Sequence, residues 1–116
     1  MTVGFVMLCH TALDRAAQVA RHWASRDCPV VIHVDRRVKR SAYDGLKKAL
    51  SDMSNIRFSG RHACEWGTWG IVGATQEASA IMLREFPGVR HVYLASGSCL
   101  PLRPVEELVA YLDERP

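Results

Sequence analysis

Val3-Gly4-Phe5-Val6-Met7-Leu8-Cys9 is an unbroken apolar run of strand length. A strand with one wet face alternates apolar with polar residues, whereas a strand buried on both faces has no need to. The run therefore predicts a central strand of a sheet covered on both sides. Outward from it, Thr11 precedes Asp14 by three residues, an N-cap followed by an acid in the first helical turn. Leu13, Ala16, Ala17, Ala20 and Trp23 continue at helical spacing. Residues 29–34 read as a second strand. Ser41 and Asp44 repeat the capping pattern, and Tyr43, Leu46, Leu50 and Met53 form the next apolar stripe. Residues 56–58 make a short third strand, followed by a loop over 60–67. Ile71, Ala74, Ala78 and Met82 mark a third helix that ends near Pro87-Gly88, and 91–95 is a fourth strand. Pro104 suits the first turn of a last helix whose Val105, Leu108, Val109 and Leu112 face inward.

Strict alternation of strand and helix predicts an α/β fold: a mainly parallel sheet of about four strands. Parallel neighbours need crossovers, and helices make them. Right-handed crossovers place helices on both faces. In such sheets ligands bind outside the carboxyl ends of the strands. The stretches to search are 9–11, 34–37, 59–69 and 96–103.

The chain has 116 residues, the size of one domain, and 48% of them are hydrophobic, which suffices for a packed core. No linker, repeat or low-complexity tract divides it. The net charge of +3 comes with interspersed acids and does not call for nucleic acid as a partner. No apolar run approaches the ~20 residues of a membrane span. The N-terminus reads as the start of a strand rather than a signal peptide. Cys9, Cys28, Cys64 and Cys99 form no Cys-x-x-Cys pair, so the expectation is reduced thiols in a cytoplasmic protein. A zinc set of Cys9, His10, His62 and Cys64 matches no standard ligand spacing.

The four loops carry the candidate chemistry. At the first, His10 and the following helix start could meet a base or a phosphate, or His10 could simply bond backbone. The second is His33-Val34-Asp35-Arg36-Arg37. An acid ending the second strand sits where a doubly wound fold grips a ribose or base edge, and a carboxylate suits a diol or an imide N–H. The alternative is an Asp that caps its own turn. Arg36, Arg37, Lys39 and Arg40 could neutralise a diphosphate or form a solvated basic edge. The third loop, Glu65-Trp66-Gly67-Thr68-Trp69-Gly70, offers tryptophans for stacking on a sugar or base, although one of them fits a core equally well. Glu65 is the only carboxylate expected nearby. The fourth, Ser96-Gly97-Ser98-Cys99-Leu100-Pro101-Leu102, is a small-residue turn that lets a ligand approach or merely turns the chain.

Several signatures are absent. No Gly-x-Gly-x-x-Gly follows the first strand, and there is no Walker sequence, no Gly-x-Ser-x-Gly and no Asp-x-Asp to hold a metal–diphosphate. One competing signature is present. Cys9 and Arg15 have the spacing and strand-end context of a low-molecular-weight-type cysteine phosphatase. The intervening His-Thr-Ala-Leu-Asp lacks the small residues that aim backbone N–H groups at a phosphate, and Asp14 would repel one.

Five stretches together resemble one family. They are Val6-Met7-Leu8-Cys9-His10 with Leu13-Asp14-Arg15, then Ile32-His33-Val34-Asp35-Arg36, Glu65-Trp66-Gly67-Thr68-Trp69, and Leu94-Ala95-Ser96-Gly97-Ser98-Cys99-Leu100-Pro101-Leu102. In this order and spacing the chain is similar to the core-2/I-branching β-1,6-N-acetylglucosaminyltransferases, which include peptide xylosyltransferases. The resemblance implies a GT-A-type fold and a UDP-sugar donor, with UDP-N-acetylglucosamine foremost. It also implies inverting, metal-independent transfer to a carbohydrate or other hydroxyl acceptor, with no cofactor. By the family pattern Asp35 contacts the uridine, with His10 and Arg36 nearby. Glu65, Trp69, Ser96 and Gly97 would line the donor site. Cys99 stands where the family often has an Asp, so any polar contact from that position is lost or reassigned. The family's domain continues past this length, so residues 1–116 are expected to be its N-terminal nucleotide-sugar-binding part. The catalytic glutamate and the basic residues that replace the metal are expected beyond Pro116. No catalytic residue is assigned within the chain, and a non-catalytic nucleotide-binding module is the other reading.

Overall fold

A computed structural model describes residues 3–61 and 69–96. In chain order these form β1 (Val3–Cys9), α1 (Leu13–Ala24), β2 (Val30–Val34), α2 (Arg40–Ala49), β3 (Ile56–Phe58), α3 (Trp69–Glu85) and β4 (His91–Ser96). The strands make one sheet in the order β3-β2-β1-β4, and every neighbouring pair is parallel. β1 is central: Phe5 pairs with Val30 on one side and with Tyr93 on the other. The α/β architecture anticipated from the alternation is the one observed. The helix anticipated from Pro104 lies outside the described residues.

Burial follows the pleat. On one face, Phe5, Met7 and Cys9 of β1 and Val30, Ile32 and Val34 of β2 pack with Ala16, Ala20 and Trp23 of α1 and with Tyr43 and Leu46 of α2. On the other, Val6 and Val31 meet Ala78 and Met82 of α3 together with Phe86. Helices thus cover both faces, which is why β1 and β2 carry no alternation. Gly4 makes room for Met82: a Cβ there would come within 2.5 Å of Met82 Sδ, and that side chain would have to shift. Without that Cβ, the buried Met82 side chain lies directly against the strand.

Most element boundaries agree with the sequence reading, and the differences have local causes. Pro29 has no N–H for the ladder, so β2 starts at Val30; the Pro29 carbonyl accepts from Phe5 N at 2.9 Å. β4 runs one residue further, to Ser96. Thr11 is not the cap of α1. That place is taken by Ala12, in left-handed conformation (φ 51°, ψ 49°) and with no side-chain cap bond. The α2 helix begins at Arg40, one residue before Ser41, with Lys39 as N-cap. Ser41 is already helical, and a capping side chain needs non-helical backbone. Trp69 opens α3 instead of lying in the preceding loop. No helix among the described residues is long and apolar enough to cross a membrane.

Two contacts tie α1 to its neighbours, one to the sheet and one to the end of α2. Phe5 and Trp23 stack with centroids 3.9 Å apart and planes 5° from parallel, and Tyr93 tilts against Phe5 from β4 at 5.7 Å. Arg21 of α1 donates to both carboxylate oxygens of Asp52, at 2.9 and 2.8 Å, and to Ala49 O at 2.7 Å. The exposed ion pair contributes little, whereas full burial of an aromatic side chain is worth roughly 1.5–3 kcal/mol. Phe5→Ala is therefore expected to lower unfolding free energy by about 3–5 kcal/mol in urea titrations. Leu83→Ala, at an exposed site on α3, should stay within about 0.5 kcal/mol of the parent. Equal effects of the two would contradict the central place of Phe5.

Candidate functional site

Parallel order brings all four carboxyl strand ends to one edge. The chain steps from β1 to β2 to β3 in one direction, then crosses back to place β4 on the far side of β1. The reversal point between β1 and β4 is where open sheets leave a ligand crevice. His10, exposed, follows β1 at this point. Ser96 is the last residue of β4 and pairs with Leu8. Gly97 and Glu65 lie outside the described residues. Of Trp69, only its place as the first residue of α3 is described.

The turn after β2 is the best-defined part of this edge. Asp35 N donates to Cys9 O at 2.8 Å, extending the β1–β2 ladder by one bond and setting Asp35 beside the end of β1 where His10 follows. The Asp35 carboxylate is 2% exposed. Its Oδ1 accepts from Arg37 N at 2.8 Å and from Arg37 Nε at 3.0 Å, and Oδ2 accepts from Arg37 Nη2 at 2.8 Å. The turn-capping role is therefore realised, with a two-pronged ion pair added to it. Such charge-assisted, bidentate bonds are the stronger kind. The Arg37 side chain is 56% exposed, so the pair joins a buried carboxylate to a side chain that reaches solvent. Val38 N closes the turn on Asp35 O at 3.0 Å.

Cations gather here. Arg36, Lys39 and Arg40 are exposed around the start of α2, and of these Arg40 pairs with Asp44 at 3.2 Å. Arg61, just past β3, was not singled out from the sequence; its basic character next to a strand end was the only available signal. The side chain reaches back to β2 and the turn, bonding the carbonyls of Val34, Asp35 and Val38. Its Cζ lies 4.5 Å from the Tyr43 ring centroid.

Glu65 is not the only carboxylate near the third loop. Glu77 of α3 lies against Gly60, where a Cβ would come within 2.7 Å of Glu77 Oε2. Sequence separation hid this approach, since α3 runs antiparallel to the strands and brings its N-terminal half beside the end of β3. His33 is fully buried in β2. No group of three or more metal-binding side chains occurs among the described residues; His62 and Cys64 lie outside them.

Cys9 is buried at the end of β1, and burial pushes its thiol up to about 12. A nucleophilic cysteine needs the opposite shift. Arg15 is exposed on α1. Nothing in this geometry favours phosphatase chemistry.

A family model described as Branch: Core-2/I-Branching enzyme matches residues 3–116. The chain belongs to the Core-2/I-Branching enzyme family. Members are glycosyltransferases, so a nucleotide-sugar donor and an acceptor follow at that level. No curated protein matches the chain. In this family member Cys9 has a packing role beneath the strand-end edge. In the folded protein Cys9 should resist iodoacetamide at pH 8 and become alkylated on unfolding, read by peptide mass spectrometry. Because the folded pKa lies above the model-compound value of 9.0, the thiol's contribution to stability is complete below that pH. It is lost as pH rises toward about 12. Within that window the parent should lose up to about 1.4 kcal/mol per pH unit more than Cys9→Ala does. Rapid alkylation of folded protein would contradict the packing role.

Proposed function

We propose that this chain binds a UDP-sugar, UDP-N-acetylglucosamine foremost, as the donor half of a metal-independent, inverting glycosyltransferase. The observation that carries the reading is the Asp35–Arg37 unit: a buried carboxylate at a carboxyl strand end, holding an exposed arginine side chain beside a basic helix start. In this reading a uridine imide N–H takes one Asp35 oxygen from Arg37. The displaced guanidinium then turns to the diphosphate, together with Arg36, Lys39 and Arg40. The exchange conserves hydrogen bonds: each group leaves one charge-assisted partner for another, so only the donor with both an imide edge and a phosphate charge is favoured. His10 just after β1 and Ser96 at the end of β4 stand at the reversal point, where the sugar would lie, with Trp69 at the start of α3; Glu65 and Gly97 are assigned to the donor site by the family pattern alone.

Two features support metal independence. The sequence has no Asp-x-Asp, and fixed cations at Arg36, Arg37, Lys39 and Arg40 can supply the charge that a divalent ion otherwise would. Inversion needs a base to take the acceptor proton as the hydroxyl attacks. We assign that base to a longer domain of which residues 1–116 form the nucleotide-sugar-binding part. The chain alone would then bind donor without transferring it. Cytoplasmic placement stays the expectation from the cysteine pattern of the sequence.

Calorimetric titration with UDP tests the reading. Affinity should be unchanged by EDTA; binding that appears only with manganese or magnesium would contradict it. Asp35→Asn keeps the side-chain shape and removes the charge. A hydrogen bond to a charged acceptor contributes ~1.5–3 kcal/mol, so affinity should fall roughly ten- to a hundredfold. Unchanged UDP affinity in a folded Asp35→Asn protein would assign Asp35 to the turn alone.

A further inference from the structure

We infer that Arg61 is the positioning residue of the candidate site, holding the Asp35–Arg37 turn in its ligand-facing form from the neighbouring strand end. Arg61 Nη2 donates to Asp35 O at 2.8 Å and also to Val38 O, the two ends of the turn, while Nε lies 3.4 Å from Val34 O. One guanidinium thus spans the last residue of β2 and both ends of the turn that follows it. Asp35 O already accepts from Val38 N at 3.0 Å, so the cation adds a second, charged donor to the bond that closes the turn. The guanidinium lies 4.5 Å from the Tyr43 centroid, and Tyr43 is buried on α2, which fixes where the fork can point.

The turn's geometry decides the site. Arg37 N reaches Asp35 Oδ1 only while 35–38 keeps this shape, and the same shape aims the Arg37 guanidinium at the carboxylate. Loops are the low-stability parts of a fold, so the polar bonds that close this one decide how well it keeps its shape. The planar fork of an arginine serves several acceptors at fixed angles; a lysine is a point charge on a flexible stem. Arg61→Lys keeps the positive charge available to Tyr43 and loses the fork. This inference rests on the nucleotide reading only for its functional consequence; the positioning itself is a property of the ligand-free protein.

The first test therefore uses no ligand. Amide hydrogen exchange in the intact protein should quicken at least tenfold at Arg37 and Val38 in both Arg61→Lys and Arg61→Gln, and stay unchanged at Val31 in β2. Unchanged exchange at Arg37 and Val38 overturns the inference, as does uniform acceleration that includes Val31. The second test is a double-mutant cycle read by UDP calorimetry and by melting temperature. Arg61→Lys should weaken UDP binding about tenfold in the parent, yet less than twofold when Asp35→Asn is already present. Equal losses in the two backgrounds would mean that Arg61 acts on the ligand directly, and would overturn the positioning role. If the parent protein binds no UDP, the proposed function fails, and the exchange experiment alone decides for or against Arg61.

Discussion

Everything in this fold depends on β1 pairing in parallel on both its edges. A strand with β2 on one side and β4 on the other has neither edge nor face available to water, so it must be apolar throughout and covered twice. The parallel direction then forces long connections, and those connections become the covering helices. α1 and α2 close one face and α3 the other. The Phe5–Trp23 stack and the Met82 contact at Gly4 are the two points where the central strand receives these layers.

The same constraint makes the candidate edge. Parallel strands all end on one side, so residues from separate parts of the chain converge there without long loops. The winding reverses between β1 and β4, the place where open sheets of this kind leave a ligand crevice. At its side the turn after β2 spends its strongest polar interactions on itself. Asp35 is desolvated and would be costly to bury alone; the bidentate contact with Arg37 offsets that cost and joins it to a side chain that reaches solvent. Arg61 then secures the turn through backbone carbonyls, from a strand end two connections away in the chain. The site is thus built in layers: strand ends give position, the turn gives orientation, and a neighbouring cation fixes the turn.

Membership of the Core-2/I-Branching enzyme family agrees with this construction, because a nucleotide-sugar carries both an edge that hydrogen-bonds and a charge that needs neutralising. The buried Cys9 thiol, pushed up to about 12, sits directly beneath that edge as an uncharged packing group. Its neighbour His10 is exposed. Adjacent residues thus differ: Cys9 ends the covered strand and serves the core, whereas His10, past the strand end, is open to solvent.

By itself the sequence determined the class of fold, the register of apolar faces and the places where chemistry could lie. Periodicity is local: Val3–Cys9 and Val30–Val34 carry it within single elements, and so do the stripes of α1 and α2. The motif after β2 was legible too, since Asp35 and its basic neighbours are contiguous. What the sequence left open was which of two roles Asp35 plays, and its capping bonds to Arg37 are settled only by the shape of the turn. The N-caps, Ala12 and Lys39, differ from the expected Thr11 and Ser41 for a related reason. Capping propensity favours Thr11 and Ser41, but the chain's exit from the preceding strand fixes where helical backbone can begin. Arg61 lies within the 59–69 stretch, but its role there was no more legible than that of Glu77. Each is an ordinary charged residue in sequence, and only strand order and the antiparallel run of α3 bring one to the Asp35 turn and the other to Gly60. Contacts between residues far apart in the chain depend on how layers pack, and no local pattern encodes that.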